Sequence, residues 1–196
     1  MDYNEQRKRQ SQRTEALILD TALRLMQKHG FDGVSIREIC REAGITTGAF
    51  YHHFTSKDVL LLACFAPLKE HLTTVWAAHA HVAPMEQLRQ MIVAYAEYMS
   101  HEGELLSKYY QYRLGQPAMS ASFDNEDYLR HALAQALRAA QEQGVLPSRI
   151  SVNETAAFLH RYYRGIVIDW ILQNHEYSLK EVMLKDFELL LSLFSG

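Results

Sequence analysis

The sequence has little of what extracellular, metal-binding or membrane proteins contain. It holds two cysteines and ten scattered histidines, with neither Cys-x-x-Cys nor His-Glu-x-x-His spacing, so no disulfide framework or metal site is predicted. No uninterrupted apolar run reaches the ~20 residues that cross a bilayer, and the first residues, MDYNEQRKRQSQR, lack the apolar core of a signal peptide. These absences predict a cytoplasmic protein with no membrane partner, metal or cofactor, and with Cys40 and Cys64 as buried thiols.

Charge is distributed unevenly along the chain. The formal net charge is −3, but residues 1–57 carry a net charge of +2 and the remaining residues a net charge of −5. A locally basic part suits contact with nucleic-acid phosphates, whatever the overall charge. No nucleophile–base pairing or phosphate-binding loop accompanies it, so an enzyme is not predicted. Four residues form a basic N-terminal arm that either follows a DNA groove or is disordered: Arg7, Lys8, Arg9 and Arg13.

Apolar residues recur with helical spacing throughout, and the alternation typical of strands is missing. We predict an all-α fold of about nine helices. The first covers residues ~11–29, two short helices follow, and a long helix from Ser56 to about residue 81 should be kinked or divided at Pro67. Further helices are predicted over residues ~84–100, ~103–114, ~125–144, ~152–174 and ~179–195, with residues 115–123 as a loop. The last two open with capping boxes, Ser151-x-x-Glu154 and Ser178-x-x-Glu181.

Residues 35–57 carry the most functional information. Ser35 and Glu38 form a capping box, Gly44 ends the short helix that follows, and Thr46 can cap the next one. Phe50 and Phe54 lie one turn apart on that second helix and suit a core. Its other face offers small, polar or aromatic residues and no acidic one: Thr47, Gly48, Tyr51 and His52. A helix that approaches a polyanion closely has this pattern.

This part of the chain resembles the DNA-binding end of the TetR family of bacterial repressors. The resemblance runs from residue 18 to residue 61 and includes the turn Ala43-Gly44-Ile45, the run Phe50-Tyr51-His52-His53-Phe54 and Ser56-Lys57-Asp58. It implies an N-terminal arm and three-helix helix-turn-helix domain over residues 1–57, and a helical-bundle domain for ligand binding and dimerisation over residues 58–196. The implied protein is a ligand-responsive regulator of transcription, a repressor released from a palindromic operator by a small apolar or aromatic effector. The alternative is a helical small-molecule-binding or interaction protein without DNA-binding activity.

Candidate DNA contacts follow from chemistry and from this resemblance. The hydroxyl of Tyr51 can reach a phosphate, Lys57 can hold one together with a helix N-terminus, and Arg37 can reach a guanine or a phosphate. For His53 the sequence is compatible with two roles, a phosphate contact and a structural hydrogen bond. The full predicted set is Ser35, Arg37, Thr46, Thr47, Gly48, Ala49, Tyr51, His52, His53 and Lys57.

The middle of the chain is rich in tyrosine and methionine, which form either core or the wall of an amphipathic cavity. The resemblance implies such a cavity between residues ~60 and 165, for an effector whose identity the sequence does not give. The candidate ligand-binding residues are Tyr95, Met99, Tyr110, Arg113, Tyr128, His131 and Tyr163.

The last two predicted helices are apolar around most of their circumference, which indicates burial on two sides. One side is the core of the domain; the other is either a central core position or a subunit interface, and the resemblance favours the interface of a homodimer. The predicted interface residues are Phe158, Tyr162, Trp170, Met183, Phe187, Leu190 and Leu191.

Overall fold

The computed structural model describes residues 3–65, 67–115 and 125–194, without the side chains of Arg113, residues 125–128, Leu193 and Phe194. These residues form ten helices and no strand: α1 (Tyr3–His29), α2 (Ile36–Glu42), α3 (Thr47–His53), α4 (Lys57–Cys64), α5 (Pro67–Ala78), α6 (Pro84–His101), α7 (Gly103–Gly115), α8 (Asn125–Glu142), α9 (Val152–Leu172) and α10 (Leu179–Phe194). The predicted all-α fold is confirmed.

The predicted long helix from Ser56 is divided, which accounts for ten helices rather than nine. Helix α4 ends at Cys64 and α5 begins at Pro67. Proline has no N–H to donate and its ring clashes with the preceding turn, so it starts a helix more readily than it continues one. Pro84 likewise occupies the first turn of α6. The predicted loop over residues 115–123 lies outside the described residues, except for Gly115 at the end of α7.

The basic N-terminal arm is helical, so the expectation of disorder is wrong. Helix α1 begins at Tyr3 and carries the four basic residues on exposed positions: Arg7, Lys8, Arg9 and Arg13. Residues 5–13 are mostly Glu, Gln, Arg and Lys, which have high helix propensity, and no Gly or Pro interrupts them. The helix therefore extends beyond its buried part, which begins at Ile18.

The chain divides into two compact units, and the first consists of residues 1–65 with residues 104–117. In this unit α1 packs against α2 and α4, and α2 packs against α3. Its interior is almost entirely aliphatic and aromatic. The fully buried side chains include Ile18, Ala22, Met26, Ile39, Phe50, Leu60, Leu61, Leu62 and Leu106.

The second unit consists of residues 66–103 with residues 118–196. Helix α6 contacts α5, α8 and α10, and α9 packs against α8 and α10. The core that these contacts enclose includes Leu72, Leu88, Met91, Ala96, Leu133, Ala136, Leu159, Tyr163, Val167 and Met183.

Short-range capping sets where several helices begin, as predicted. The hydroxyl oxygens of Ser35 and Thr46 each accept a hydrogen bond at 3.1 Å from the backbone N–H three residues ahead. Ser178 does the same at 3.2 Å and Ser151 at 3.5 Å. Each satisfies one of the N–H groups that a helix leaves unpaired at its start.

One stretch of the described residues, Lys57–Ala78, is long and apolar enough to cross a membrane by length and composition. Helices in the core of soluble proteins pass the same test, and this stretch is interrupted at Pro67.

Candidate functional site

A tight turn joins α2 to α3. The N–H of Ile45 donates to the carbonyl of Cys40 at 2.9 Å, and Gly44 has a φ of +64°. An L-residue with a side chain rarely adopts this conformation, whereas glycine does so without a Cβ clash. Gly44 therefore ends α2 and lets α3 begin three residues later.

Helix α3 has one buried side and one exposed side. Phe50 is completely buried and Phe54 nearly so, and their ring centroids lie 5.9 Å apart. Tyr51 is 55% exposed, and Thr47, Gly48 and His52 are exposed with it. The two phenylalanines anchor the helix while the opposite face remains available to a partner.

Most of the predicted DNA-contacting residues lie at the surface of the helix-turn-helix. Seven are exposed and Ala49 is half-buried; the exposed ones are Ser35, Arg37, Thr46, Thr47, Gly48, Tyr51 and His52. Ser35 and Thr46 also serve as caps. The two remaining candidates, His53 and Lys57, are turned inward.

His53 has a structural role in this unit. Its side chain is only 9% exposed, and Nδ1 lies 4.0 Å from a carboxylate oxygen of Glu15 on α1. Its ring also lies against His52 and Phe54. Of the two alternatives left open for His53, the structure favours the structural contact.

The ammonium of Lys57, which was predicted to hold a phosphate, is half-buried and donates two of its three N–H groups to the protein itself. Nζ donates to the carbonyl of Phe31 at 2.8 Å and to that of Val34 at 2.9 Å. It also lies 4.2 Å from the centroid of the Phe31 ring, within the range of a cation–π contact. These partners are 23 and 26 residues earlier in the chain, so local sequence analysis could not identify them.

The carboxylates of α2 have cationic neighbours. Glu42 lies 3.9 Å from Arg24 and 3.8 Å from Arg41, and Glu38 lies 3.8 Å from Arg41. These arginines reduce the repulsion that the two carboxylates would exert on a phosphate backbone. No group of three or more His, Cys, Asp or Glu within the described ranges could hold a metal ion.

The predicted ligand-binding residues are distributed over both units. Tyr95, Met99 and Tyr163 are buried in the second unit, whereas His131 is exposed there. Tyr110 belongs to the first unit, where its ring packs edge-on against that of Tyr109. The side chains of Arg113 and Tyr128 lie outside the described residues.

Tyr163 differs from every other buried polar side chain in the described residues, because its hydroxyl has no hydrogen-bond partner there. The side chain is 1% exposed. Burial, assisted by the charge of Asp186, raises the pKa of this tyrosine well above its usual value. The group is therefore a neutral hydrogen-bond donor inside the second unit.

Three of the seven predicted interface residues lie in the core of the second unit, where they have almost no exposed surface to offer a second copy. Trp170, Met183 and Phe187 are at most 5% exposed. Trp170 donates its indole N–H to the carbonyl of Tyr177 at 2.8 Å, and its ring lies 4.2 Å from that of His175. A helix that is apolar all round does not reveal which side faces its own core.

The other predicted interface residues lie on or near the surface. Phe158 is 45% exposed and stacks on Tyr162, with ring centroids 5.9 Å apart and planes inclined by 16°. Leu190 and Leu191 are half-buried. Phe158 and Tyr162 line a groove of about 570 Å³, together with Arg161, Gly165, Ile166, Asp169, Tyr177, Val182 and Asp186.

Two tyrosine–carboxylate pairs in this groove were missed by sequence analysis. Tyr162 donates to Asp186 at 2.7 Å across α9 and α10, and Tyr177 donates to Asp169 at 2.9 Å. The pairs join residues 24 and eight positions apart, a spacing for which the sequence carries no signal. The groove is therefore polar where Asp169 and Asp186 line it and apolar where Phe158 and Ile166 line it.

The geometry agrees with comparisons to known proteins. The family profile described as "Bacterial regulatory proteins, tetR family" matches residues 18–64, which contain all of α2, α3 and α4. The chain belongs to the TetR family. It is 27% identical over 181 residues to the regulator TtgR of Pseudomonas putida, covering 84% of this chain and 83% of that protein. It is 25% identical over 199 residues to the regulator AcrR of Shigella flexneri, covering 95% and 92% of the two chains.

Solved structures of TetR-family proteins share the fold. FadR of Thermus thermophilus, a TetR-family repressor solved in complex with lauroyl-CoA, is 25% identical and superposes with a TM-score of 0.69. The match covers 90% of this chain and 92% of that one. Relatives in the family are regulators of transcription rather than enzymes, and this chain is a ligand-responsive DNA-binding regulator.

The groove tyrosines should make folding stability fall at high pH. Desolvation, followed by the hydrogen bond to a carboxylate, raises the pKa of Tyr162 and of Tyr177 to about 12. An unfolded tyrosine has a pKa of about 10, so this contribution is complete below pH ~10 and is lost as pH rises through the folded value. We expect absorbance titration of the wild type to show tyrosinate forming near pH 12, and urea unfolding to show stability decreasing between pH ~10 and pH ~12.

Tyr162→Phe should remove one of these late ionisations. Asp186→Asn should move it to lower pH, because the carboxylate charge that opposes ionisation is gone. Identical titration curves for Tyr162→Phe and the wild type would contradict the assignment.

Proposed function

We propose that this chain is a homodimeric repressor that uses the exposed side of α3 and the start of α2 to bind a palindromic operator. The observation that carries this proposal is the division of α3 into a buried side, Phe50 and Phe54, and an exposed side without acidic residues. In this proposal residues 1–57 form the DNA-binding domain and residues 58–196 the ligand-binding and dimerisation domain.

The proposed contacts divide into two kinds. Tyr51 donates its hydroxyl to a phosphate, and Ser35, Thr46 and His52 lie on the same exposed surface. Thr47 and Arg37 reach base edges, and Gly48 and Ala49 let the helix approach the groove closely. A two-fold axis would set the two recognition helices about 34–36 Å apart, one turn of DNA.

The two kinds of contact predict different mutational effects. Tyr51→Phe should weaken binding to all duplexes alike, because a phosphate carries no sequence information. Thr47→Ala and Arg37→Ala should change the preference at particular base pairs, by ~1–3 kcal/mol each. Binding is measured by fluorescence anisotropy on a duplex that the wild type selects from a random library, and on single-base variants of it. The proposal fails if the wild type selects no duplex from such a library.

The groove between α9 and α10 supports a dimer through these two helices. Phe158 is half-exposed beside the stacked Tyr162, and Leu189 and Leu172 are more than half exposed on the same two helices. Exposed apolar side chains on one pair of helices favour packing against a second copy, which gives a four-helix interface. Arg161 and the carboxylates of Asp169 and Asp186 line the same groove and offer opposite charges to a symmetry-related copy.

A charge placed in the groove should separate the subunits. Phe158→Glu should raise the dissociation constant of the dimer about tenfold or more, because an unpaired buried carboxylate costs ~1–3 kcal/mol or more. Val145→Glu is the matched control, since Val145 is 56% exposed outside the groove. Both variants are compared by sedimentation at micromolar concentration. A Phe158→Glu variant that sediments as a dimer would rule out this interface, and a monomeric wild type would rule out the homodimer.

We further propose that the effector binds inside the second unit, near Tyr95, Met99 and Tyr163. All three are buried there, and the hydroxyl of Tyr163 is a donor that nothing in the described residues accepts. An apolar molecule that carries one hydrogen-bond acceptor fits this environment. The lauroyl-CoA bound to the Thermus thermophilus relative makes an acyl thioester a reasonable first probe, beside small aromatic compounds.

Tyr163→Phe and Tyr51→Phe should affect opposite functions. Tyr163→Phe should spare operator affinity and raise the effector dissociation constant about threefold to tenfold, the value of one hydrogen bond. Tyr51→Phe should weaken the operator complex and leave effector binding unchanged. By linkage, operator DNA should weaken effector binding by the factor by which effector weakens operator binding, which corresponds to ~1–3 kcal/mol. A compound bound equally well by free and operator-bound protein is excluded as the effector.

We propose a regulator without enzymatic activity that acts in the cytoplasm and has no membrane partner. The alternative, a helical binding protein without DNA-binding activity, would give no reason for α3 to present Thr47, Gly48, Tyr51 and His52 together on an exposed side. Titration of one duplex at two salt concentrations distinguishes the two, since phosphate contacts make binding salt-dependent.

A further inference from the structure

The loop between α1 and α2 is held by a lysine from α4. This loop, residues 30–34, accepts two hydrogen bonds from Lys57 Nζ, one through the carbonyl of Phe31 and one through that of Val34. The Phe31 ring lies under the same ammonium at 4.2 Å. Phe31 and Val34 are at most 8% exposed and Lys57 is half-buried, so the acceptors of this contact lie in the interior of the first unit and its donor lies at the edge.

Helix α7 holds the same loop from its other side. Lys108 Nζ lies 2.6 Å from a carboxylate oxygen of Asp32, and its hydrogen bond is the main cause that lowers the pKa of Asp32. A carboxylate oxygen of Glu104 lies so close to Gly30 that a Cβ there would be 3.1 Å from it. Helix α7 is itself anchored in this unit by Tyr109, whose ring lies 4.8 Å from that of Phe65 at the end of α4.

The loop leads directly into the DNA-facing helices. Val34 is followed by Ser35, the cap of α2, and α2 packs against α3. Because α2 and α3 have seven residues each, their orientation depends on the segments that hold their ends. A displacement of the loop would therefore change the direction in which α3 presents Tyr51 and Thr47.

We infer that Lys57 and Lys108 are positioning residues for DNA binding, which fix the α1–α2 loop from α4 and from α7 and thereby orient α2 and α3. This inference rests on the proposed function. It assigns to Lys57 an internal role instead of neutralisation of a phosphate. It also makes α7, which lies outside the helix-turn-helix in the sequence, a determinant of operator affinity through the ion pair of Lys108 with Asp32.

The salt dependence of binding separates positioning from phosphate contact. Loss of a lysine that neutralises a phosphate lowers the slope of log K against log salt by about one. Lys57→Met should instead weaken binding to the selected duplex roughly tenfold with an unchanged slope. Lys28→Met is the control, because it removes the same charge from an exposed position at the end of α1 and should leave affinity within about twofold. A slope reduced by one in Lys57→Met would overturn the positioning role of Lys57.

A charge exchange tests the role of Lys108. Lys108→Met and Asp32→Asn should each weaken binding roughly two- to fivefold, the range for an exposed ion pair, with the slope unchanged. The double variant Asp32→Lys with Lys108→Asp should restore affinity, since it restores the pair in reverse. Single variants that bind as tightly as the wild type, or an exchange that does not restore affinity, would overturn the role of α7.

Hydrogen exchange of the free protein tests the same contacts without DNA. Lys57→Met and Lys108→Met should each speed exchange of the amides of residues 31–36, whereas Lys28→Met should not. If Lys57→Met does not fold, Lys108→Met and Asp32→Asn carry the test, because they change an ion pair whose Asp32 side chain is 75% exposed. Unchanged exchange overturns the inference even if the protein binds DNA. Faster exchange in a protein that selects no duplex would contradict the proposed function and leave the loop contacts standing.

Discussion

The DNA-facing part of this protein depends on the burial of a few side chains beneath two very short helices. Helices of seven residues are not stable alone in water, so α2 and α3 exist because Ile39, Phe50 and Phe54 are buried against their neighbours. Each such side chain contributes ~1.5–3 kcal/mol by its removal from water. The same burial sets the exposed side of α3, so the fold of this unit and its proposed contact surface follow from one constraint.

Helix α9 shows how adjacent residues of the same type acquire different chemistry. Tyr162 and Tyr163 are about 100° apart around the helix axis. Tyr162 lines the groove and donates to Asp186, whereas Tyr163 is buried with a hydroxyl that no described residue accepts. One hydroxyl therefore stabilises the outer surface of the second unit, and the other is a donor inside it. A subunit partner and an effector, if they bind as proposed, would thus meet different sides of a single helix.

Much of this fold was predictable because its signals act over a few residues. The caps at Ser35, Thr46 and Ser178 act within three residues, and Pro67 divides a helix through its own missing N–H. Of the candidate site, the exposed side of α3 was predictable from helical periodicity. The length of α1 was not, because charged residues with high helix propensity are as compatible with a disordered arm as with a helix.

The sequence by itself determined the helical class, most helix starts and the side of α3 that faces solvent, since these depend on neighbours within one or two turns. Only the tertiary structure decided which polar and aromatic side chains are hydrogen-bonded or buried within the chain itself. In the folded chain Lys57 donates to carbonyls 23 and 26 residues away, and Trp170, Met183 and Phe187 are buried. The physical reason is that an apolar side chain can be buried in a core or at an interface, and a lysine can bind a carbonyl or a phosphate. The packing of helices distant in the sequence selects one of these partners.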